Sequence, residues 1–169
     1  MRKRSKYRPR GLILDTMLYV SSGMKRVGAI SAGTTLKIKN HAALESVRIG
    51  EGTREDIDVL ITAFNITEAL ALQSIGEDWK DEIRAAQDAL LAVGRRGVET
   101  GKFILRGPEL TTFNLAMEIH DAQLDACTVS DLEKAIAFVE TIVRNKGARA
   151  IIERTHEKKP KRWKQQRLF

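Results

Sequence analysis

The feature that most constrains this chain is a succession of four helical stripes between Thr53 and Gly147. In the first, apolar residues recur at Ile57, Leu60, Ile61, Phe64, Leu72 and Ile75, the three- and four-residue spacing that lines one face of a helix. Thr53, with Asp56 three residues on, has the form of a capping box, and Gly76 stands where a helix stops. In the second, Trp79, Ile83, Ala86, Leu90, Val93 and Gly97 alternate four and three apart. After the turn GKFILRG, Pro108 opens a third helix at the position proline tolerates best. Its stripe runs Leu110, Phe113, Met117, His120, Leu124, Cys127. Thr128 and Asp131 repeat the capping box before Leu132, Ile136, Val139 and Val143, with a close near Gly147. Four amphipathic helices on short connections cannot bury their stripes singly, so the spacing predicts an all-α antiparallel helical bundle.

Ahead of these four the pattern is weaker. Asp15 can cap a short helix through about Ser22, closed by Gly23. GAISAG, residues 28–33, reads as a loop, and TTLKIK alternates enough for a short extended segment. Asn40 can cap a second short helix, HAALESVRIG, ending at Gly50. The expectation is about four main helices plus one or two short N-terminal ones. At 169 residues the chain has room for one core. Residues 12–150 form the expected helical domain, between a basic arm at 1–11 and a basic tail at 151–169. The stripe on helix 78–97 would serve a homodimer as well as an intramolecular bundle.

The net charge of +7 is unevenly divided. Arg2, Lys3, Arg4, Lys6, Arg8 and Arg10 crowd the first ten residues with no acid among them. Lys158, Lys159, Lys161, Arg162, Lys164 and Arg167 crowd the last twelve, again without an acid. The body between them is net acidic. Such asymmetry points to basic arms on an ordinary domain. Twelve bases, with Tyr7 and Trp163 among them, suit phosphate contact and stacking. DNA is the expected nucleic acid, bound without sequence preference, because phosphate contacts position a protein without reading bases.

Other chemistries find little footing. Cys127 is the single cysteine, which excludes an intrachain disulfide and fits a reducing cytoplasm. Ending an apolar stripe, it reads as a small buried hydrophobe. His41, His120 and His156 fall in different elements, with no pair at metal-ligand spacing. Glu118 and His120 are two apart and so face different ways; His120, on the stripe, reads as a hydrogen-bonded core residue. Neither a phosphate-binding loop nor a dinucleotide fingerprint occurs, and no metal or cofactor is expected. Asn65-Ile66-Thr67 is a chance sequon inside a helix. No apolar run is long enough to span a membrane. Asp15 interrupts GLILDTMLYV and no small-residue cleavage site follows, so the N-terminus is expected to be retained.

The chain closes on Gln165-Gln166-Arg167-Leu168-Phe169. This Q-x-x-L-F form resembles the short peptide with which many bacterial replication and repair proteins dock on the DNA polymerase sliding clamp. The resemblance implies that the Gln165 amide anchors one end by hydrogen bonds while Leu168 and Phe169 fill an apolar pocket. That family prefers Leu and then Ser or Asp where this chain has Gln166 and Arg167, so the match is to the looser form. The alternative is that Trp163, Leu168 and Phe169 fold back on the bundle. In the body, GTTLKIKNHAAL and AMEIHDAQLDACTVSDLEKAI resemble segments of small helical proteins of bacteriophages and prophages, which implies a setting and no functional residues.

These features lead to a non-enzymatic, cytoplasmic, phage-type accessory protein acting at DNA, with a C-terminal peptide for a protein partner. The competing expectation is a regulator or inhibitor of a host system that binds protein through a bundle face and never touches nucleic acid.

Overall fold

The structure, a computed structural model, describes residues 16–145; the expected arms, the Asp15 cap and the terminal peptide lie outside the described residues. The described chain is an all-α bundle of six helices. They are α1 (Thr16–Gly23), α2 (Ser31–Arg48), α3 (Arg54–Leu72), α4 (Lys80–Thr100), α5 (Gly107–Ala126) and α6 (Val129–Arg144). None of them is long and apolar enough to cross a membrane.

Helix α3 is the axis of the bundle, packed against α2, α4, α5 and α6. Its N-terminus is a true capping box: Thr53 Oγ1 accepts from the Asp56 N–H at 3.2 Å, and Asp56 returns an acceptor to the Thr53 N–H at 2.8 Å. The same reciprocal pair starts α6, with Thr128 and Asp131. Each satisfies two N–H groups that a helix start leaves without internal partners. The core follows the stripes closely in α4, where Ile83, Ala86, Leu90, Val93 and Gly97 are buried, and in α5, where Phe113, Met117, His120, Leu124 and Cys127 are buried.

Three expectations are corrected. The first is that residues 28–50 are not a loop, an extended segment and a short helix. They hold one turn of 3-10 helix (Val27–Ala29) and the continuous helix α2. Its buried stripe is Gly33, Asn40, Ala43, Leu44 and Val47, and two of those five carry no apolar side chain, which hides the helical period. Gly33 is there for clearance, since a Cβ would stand 2.1 Å from the Val27 carbonyl oxygen.

The second concerns the end of α3. It stops at Leu72 through Ser74, a non-glycine residue at φ 63. Ile75 N–H donates to the Leu70 carbonyl and Ser74 N–H to that of Ala71, the bond pattern of a left-handed helix terminus. Gly76, also left-handed, instead precedes the short turn Glu77–Trp79, so Trp79 falls outside α4 and is 46% exposed.

The third is α6. Of its expected stripe, Leu132 and Val139 are half-buried while Ile136 and Val143 are exposed, and Ala135 is the buried residue. Apolar residues cover more of α6 than its neighbours bury, and Ala135 is the one whose side chain is fully buried.

Two short backbone bridges tie the layers. Arg26 pairs with Thr128, where Val27 N–H donates to the Cys127 carbonyl at 3.1 Å, and Gly52 pairs with Phe103. Phe103 in turn lies across Gly97, where a Cβ would stand 2.0 Å from the ring. The α4–α5 corner is clasped by Arg96, which donates two hydrogen bonds to Glu109 at 2.9 and 2.7 Å and a third to the Ile104 carbonyl. Burial pushes the Glu109 carboxyl up, but the bonds from Arg96 and the Arg106 N–H outweigh it and hold the group below its ordinary value of 4.5. A depressed carboxyl contributes stability that is present above its unfolded pKa and lost as pH falls through the folded one. Arg96→Ala is therefore expected to cost about 2 kcal/mol at neutral pH, the loss for a partly buried carboxylate that keeps the Arg106 N–H but loses both guanidinium donors. Urea midpoints compared at pH 7 and pH 3 check it, because the gap between parent and variant should shrink at the lower pH.

Candidate functional site

The residues with most potential for chemistry meet where α2, α3 and α5 pack. His120 is fully buried; its Nδ1 lies 2.8 Å from Thr67 Oγ1 and its Nε2 lies 3.0 Å from Asn40 Nδ2. The Thr67 hydroxyl also lies 2.9 Å from the Ala63 carbonyl, which can only accept. One hydroxyl proton serves that carbonyl, so the Thr67 oxygen accepts from His120 Nδ1–H, and Nε2 accepts from the Asn40 amide. The ring is neutral and both nitrogens are engaged. Burial lowers its pKa to about 4. Gln123 extends the chain of bonds, donating to the carbonyls of Thr67 and Ile75 and so tying α5 to the end of α3.

This is the chemistry of a polar strut. No lone pair remains on His120 to bind a metal or take a proton near neutral pH. Toward solvent, the hydrogen-bonded pair His41–Asp121 at 2.8 Å and the ion pair Lys37–Asp125 at 2.7 Å repeat the α2–α5 link at helical spacing. Among the described residues, no three His, Cys, Asp or Glu side chains converge as a metal site. Cys127 is buried, and burial together with the Asp131 charge pushes its thiol up, away from the thiolate a nucleophile requires.

A groove of about 610 Å³ opens between α4 and α6, with α3 as its floor. Leu90 and Leu91 line the α4 wall, Ile61 and Ala69 the floor, and Phe138, Ile142 and Val143 the α6 wall. Near the α3–α4 connection it becomes polar: Gln87 donates to Asn65 at 3.2 Å and to Glu68 at 2.9 Å, and Arg84 lies 3.8 Å from Glu68. Phe138 is 45% exposed and Val143 55%, so the α6 wall presents apolar surface with no covering layer among the described residues. Sequence reasoning passed over this groove. Phe138 and Ile142 lie off the stripe it followed on α6, but they stand four residues apart, and a second apolar row on one helix is the signal that could have shown it.

The sites expected from sequence fall elsewhere. Arg2, Lys3, Arg4, Lys6, Arg8 and Arg10, the bases at 158, 159, 161, 162 and 164, and the docking residues Gln165, Leu168 and Phe169 all lie outside the described residues. The described body itself carries 14 bases against 19 acids. No protein-family model, no curated protein and no solved structure matches this chain.

Proposed function

We propose that this chain is a non-enzymatic, cytoplasmic, phage-type accessory protein that acts at DNA, attached through its basic ends. The observation that carries the reading is the separation of charge. The helical body is net acidic, while residues 1–10 and residues 158–169 each hold six bases and no acid. An acidic body repels the phosphate backbone, so attachment falls to the arms and is electrostatic, without base readout. The final Q-x-x-L-F then docks a protein partner, and the sliding clamp is the partner its pattern resembles.

The test is DNA binding by the full chain as salt is varied. Affinity of micromolar order is expected at low salt, with a loss of roughly a thousandfold between 50 and 200 mM salt if about six phosphates are contacted. Removing residues 1–10 and 158–169 should abolish it, and equal binding by the shortened chain would refute the arms. For the docking peptide, Leu168→Ala/Phe169→Ala should abolish capture by immobilised clamp while the melt stays within about 0.5 kcal/mol of the parent. A large loss of stability would mean instead that the pair packs on the bundle. If the full chain binds no DNA, the regulator that binds protein through a bundle face becomes the better reading.

A further inference from the structure

Helices α4 and α6 flank α3 and run in the same direction. Gln87 meets Asn65 while Arg84 meets Glu68, the order of an antiparallel α3–α4 pair. Leu132 packs near Leu70 and Ile75 while Ile142 shares the groove with Ile61, so α6 also runs against α3. The apolar stripe of α4 is spent inside the bundle. Another face of α4 carries Asp81, Arg84, Asp88 and Arg95, all exposed, with half-buried Leu91 among them. The outer line of α6 carries Glu133, Ala137, Glu140 and Arg144, also exposed. Both rows step by three and four residues, so each lies along one side of its helix.

We propose that this face takes a second copy of the chain, with α6 of each copy seated antiparallel in the α4–α6 groove of the other. The order of charges selects this occupant. A two-fold contact needs a patch that complements itself. Read in reverse along α4, α6 of the second copy sets Arg144 by Asp81, Glu140 by Arg84 and Glu133 by Arg95. From Asp81 the two arginines stand about 4.5 and 21 Å along α4. From Arg144 the two glutamates stand about 6 and 17 Å along α6, and an arginine side chain is long enough to close the differences. Asp88, which already has an interaction in its own chain, falls opposite Ala137. One face that carries both signs in matching order is what a copy requires and an unrelated partner leaves unexplained.

Apolar surface supplies the attraction and the charges set the register. Phe138, near the middle of α6, falls close to the two-fold axis, and each ring enters the other copy's groove with Ile142 beside it. The Thr141 hydroxyl donates to the Ala137 carbonyl at 2.8 Å, so this turn can be covered without stranding a donor. Helix α6 has 16 residues and is about 24 Å long, and two helices side by side make a face about 20 Å wide. That is roughly 500 Å² per copy and roughly 1,000 Å² in all, the size of a reversible contact of micromolar order. The inference does not rest on DNA binding, which can fail while the dimer stands.

The test is sedimentation equilibrium of the full-length protein over a range of concentrations at low salt. The parent should pass from monomer to dimer with a dissociation constant of micromolar order. Arg84→Glu and Glu140→Arg should each weaken the dimer by roughly tenfold or more, because like charges then face each other twice in every dimer. The double variant Arg84→Glu/Glu140→Arg restores opposite charges between copies and should recover most of that loss. All three should keep the helical circular dichroism of the parent, since both side chains are exposed. Phe138→Cys, close to the axis, should form an intermolecular disulfide under mild oxidation, while the parent, whose Cys127 is buried, should not. A parent that stays monomeric at about 100 µM would overturn the proposal. So would a dimer insensitive to the single reversals, or one that the double variant fails to restore.

Discussion

Phe64→Ala is expected to remove about 4 kcal/mol of stability, a large share of what holds this bundle together. Phe64 is fully buried in α3, and its ring meets that of Phe113 of α5 edge to face, with centroids 5.3 Å apart and planes at 90°. Truncating a buried phenylalanine loses its transfer energy and leaves a cavity, together roughly 3–5 kcal/mol. The site has little freedom to collapse, because α3 is held on several sides by its neighbours. Against a total of roughly 5–15 kcal/mol for a domain, such a loss shows as a large fall in the urea midpoint at an unchanged slope. Phe113→Ala should cost a similar amount. The double variant should cost less than the sum by about 1 kcal/mol, the worth of the ring pair beyond its buried area. Additive costs would mean that the edge-to-face geometry contributes nothing of its own.

Acidification from pH 7 to pH 4 is expected to remove about 3 kcal/mol through His120 alone. Its folded pKa is about 4, set first by burial, against an ordinary value of 6.5. Between those values the unfolded chain binds a proton that the folded chain refuses, so stability falls as pH falls. At about 1.4 kcal/mol per pKa unit, the gap gives the quoted loss. Urea midpoints at pH 7, 5.5 and 4.5 should step downward for the parent. His120→Gln, less stable throughout, should show a much flatter profile over that range. A parent whose midpoint holds steady from pH 7 to 4.5 would show that the imidazole is not kept neutral. Protonation would cost the Asn40 bond, because Nε2 would become a donor facing a donor.

Local chemistry carried much of the fold. Both capping boxes, Thr53 with Asp56 and Thr128 with Asp131, are legible in sequence because each is closed by residues three apart. The stripes of α4 and α5 are legible because nearly every member is apolar and faces a neighbouring helix. Where those conditions fail, so does the reading. In α2 the period is carried partly by Gly33 and Asn40, whose reasons for burial are the carbonyl of Val27 and the ring of His120, 80 residues away in the case of Asn40. The end of α3 rests on Ser74 in a left-handed conformation, which its residue type does not advertise.

The same division separates the two candidate sites. Sequence by itself determined the helical class, the three- and four-residue stripes, the place of His120 in the core and the partition of charge between body and ends, because each depends on residue type and on spacing within one segment. Tertiary structure alone decided that α2 is one helix, which partners satisfy His120, and that α4 and α6 stand apart over α3 to leave a groove. Those outcomes depend on which faces meet. That is set by the fit of side chains from segments distant in sequence, where a glycine's missing Cβ or one amide can outweigh a local pattern.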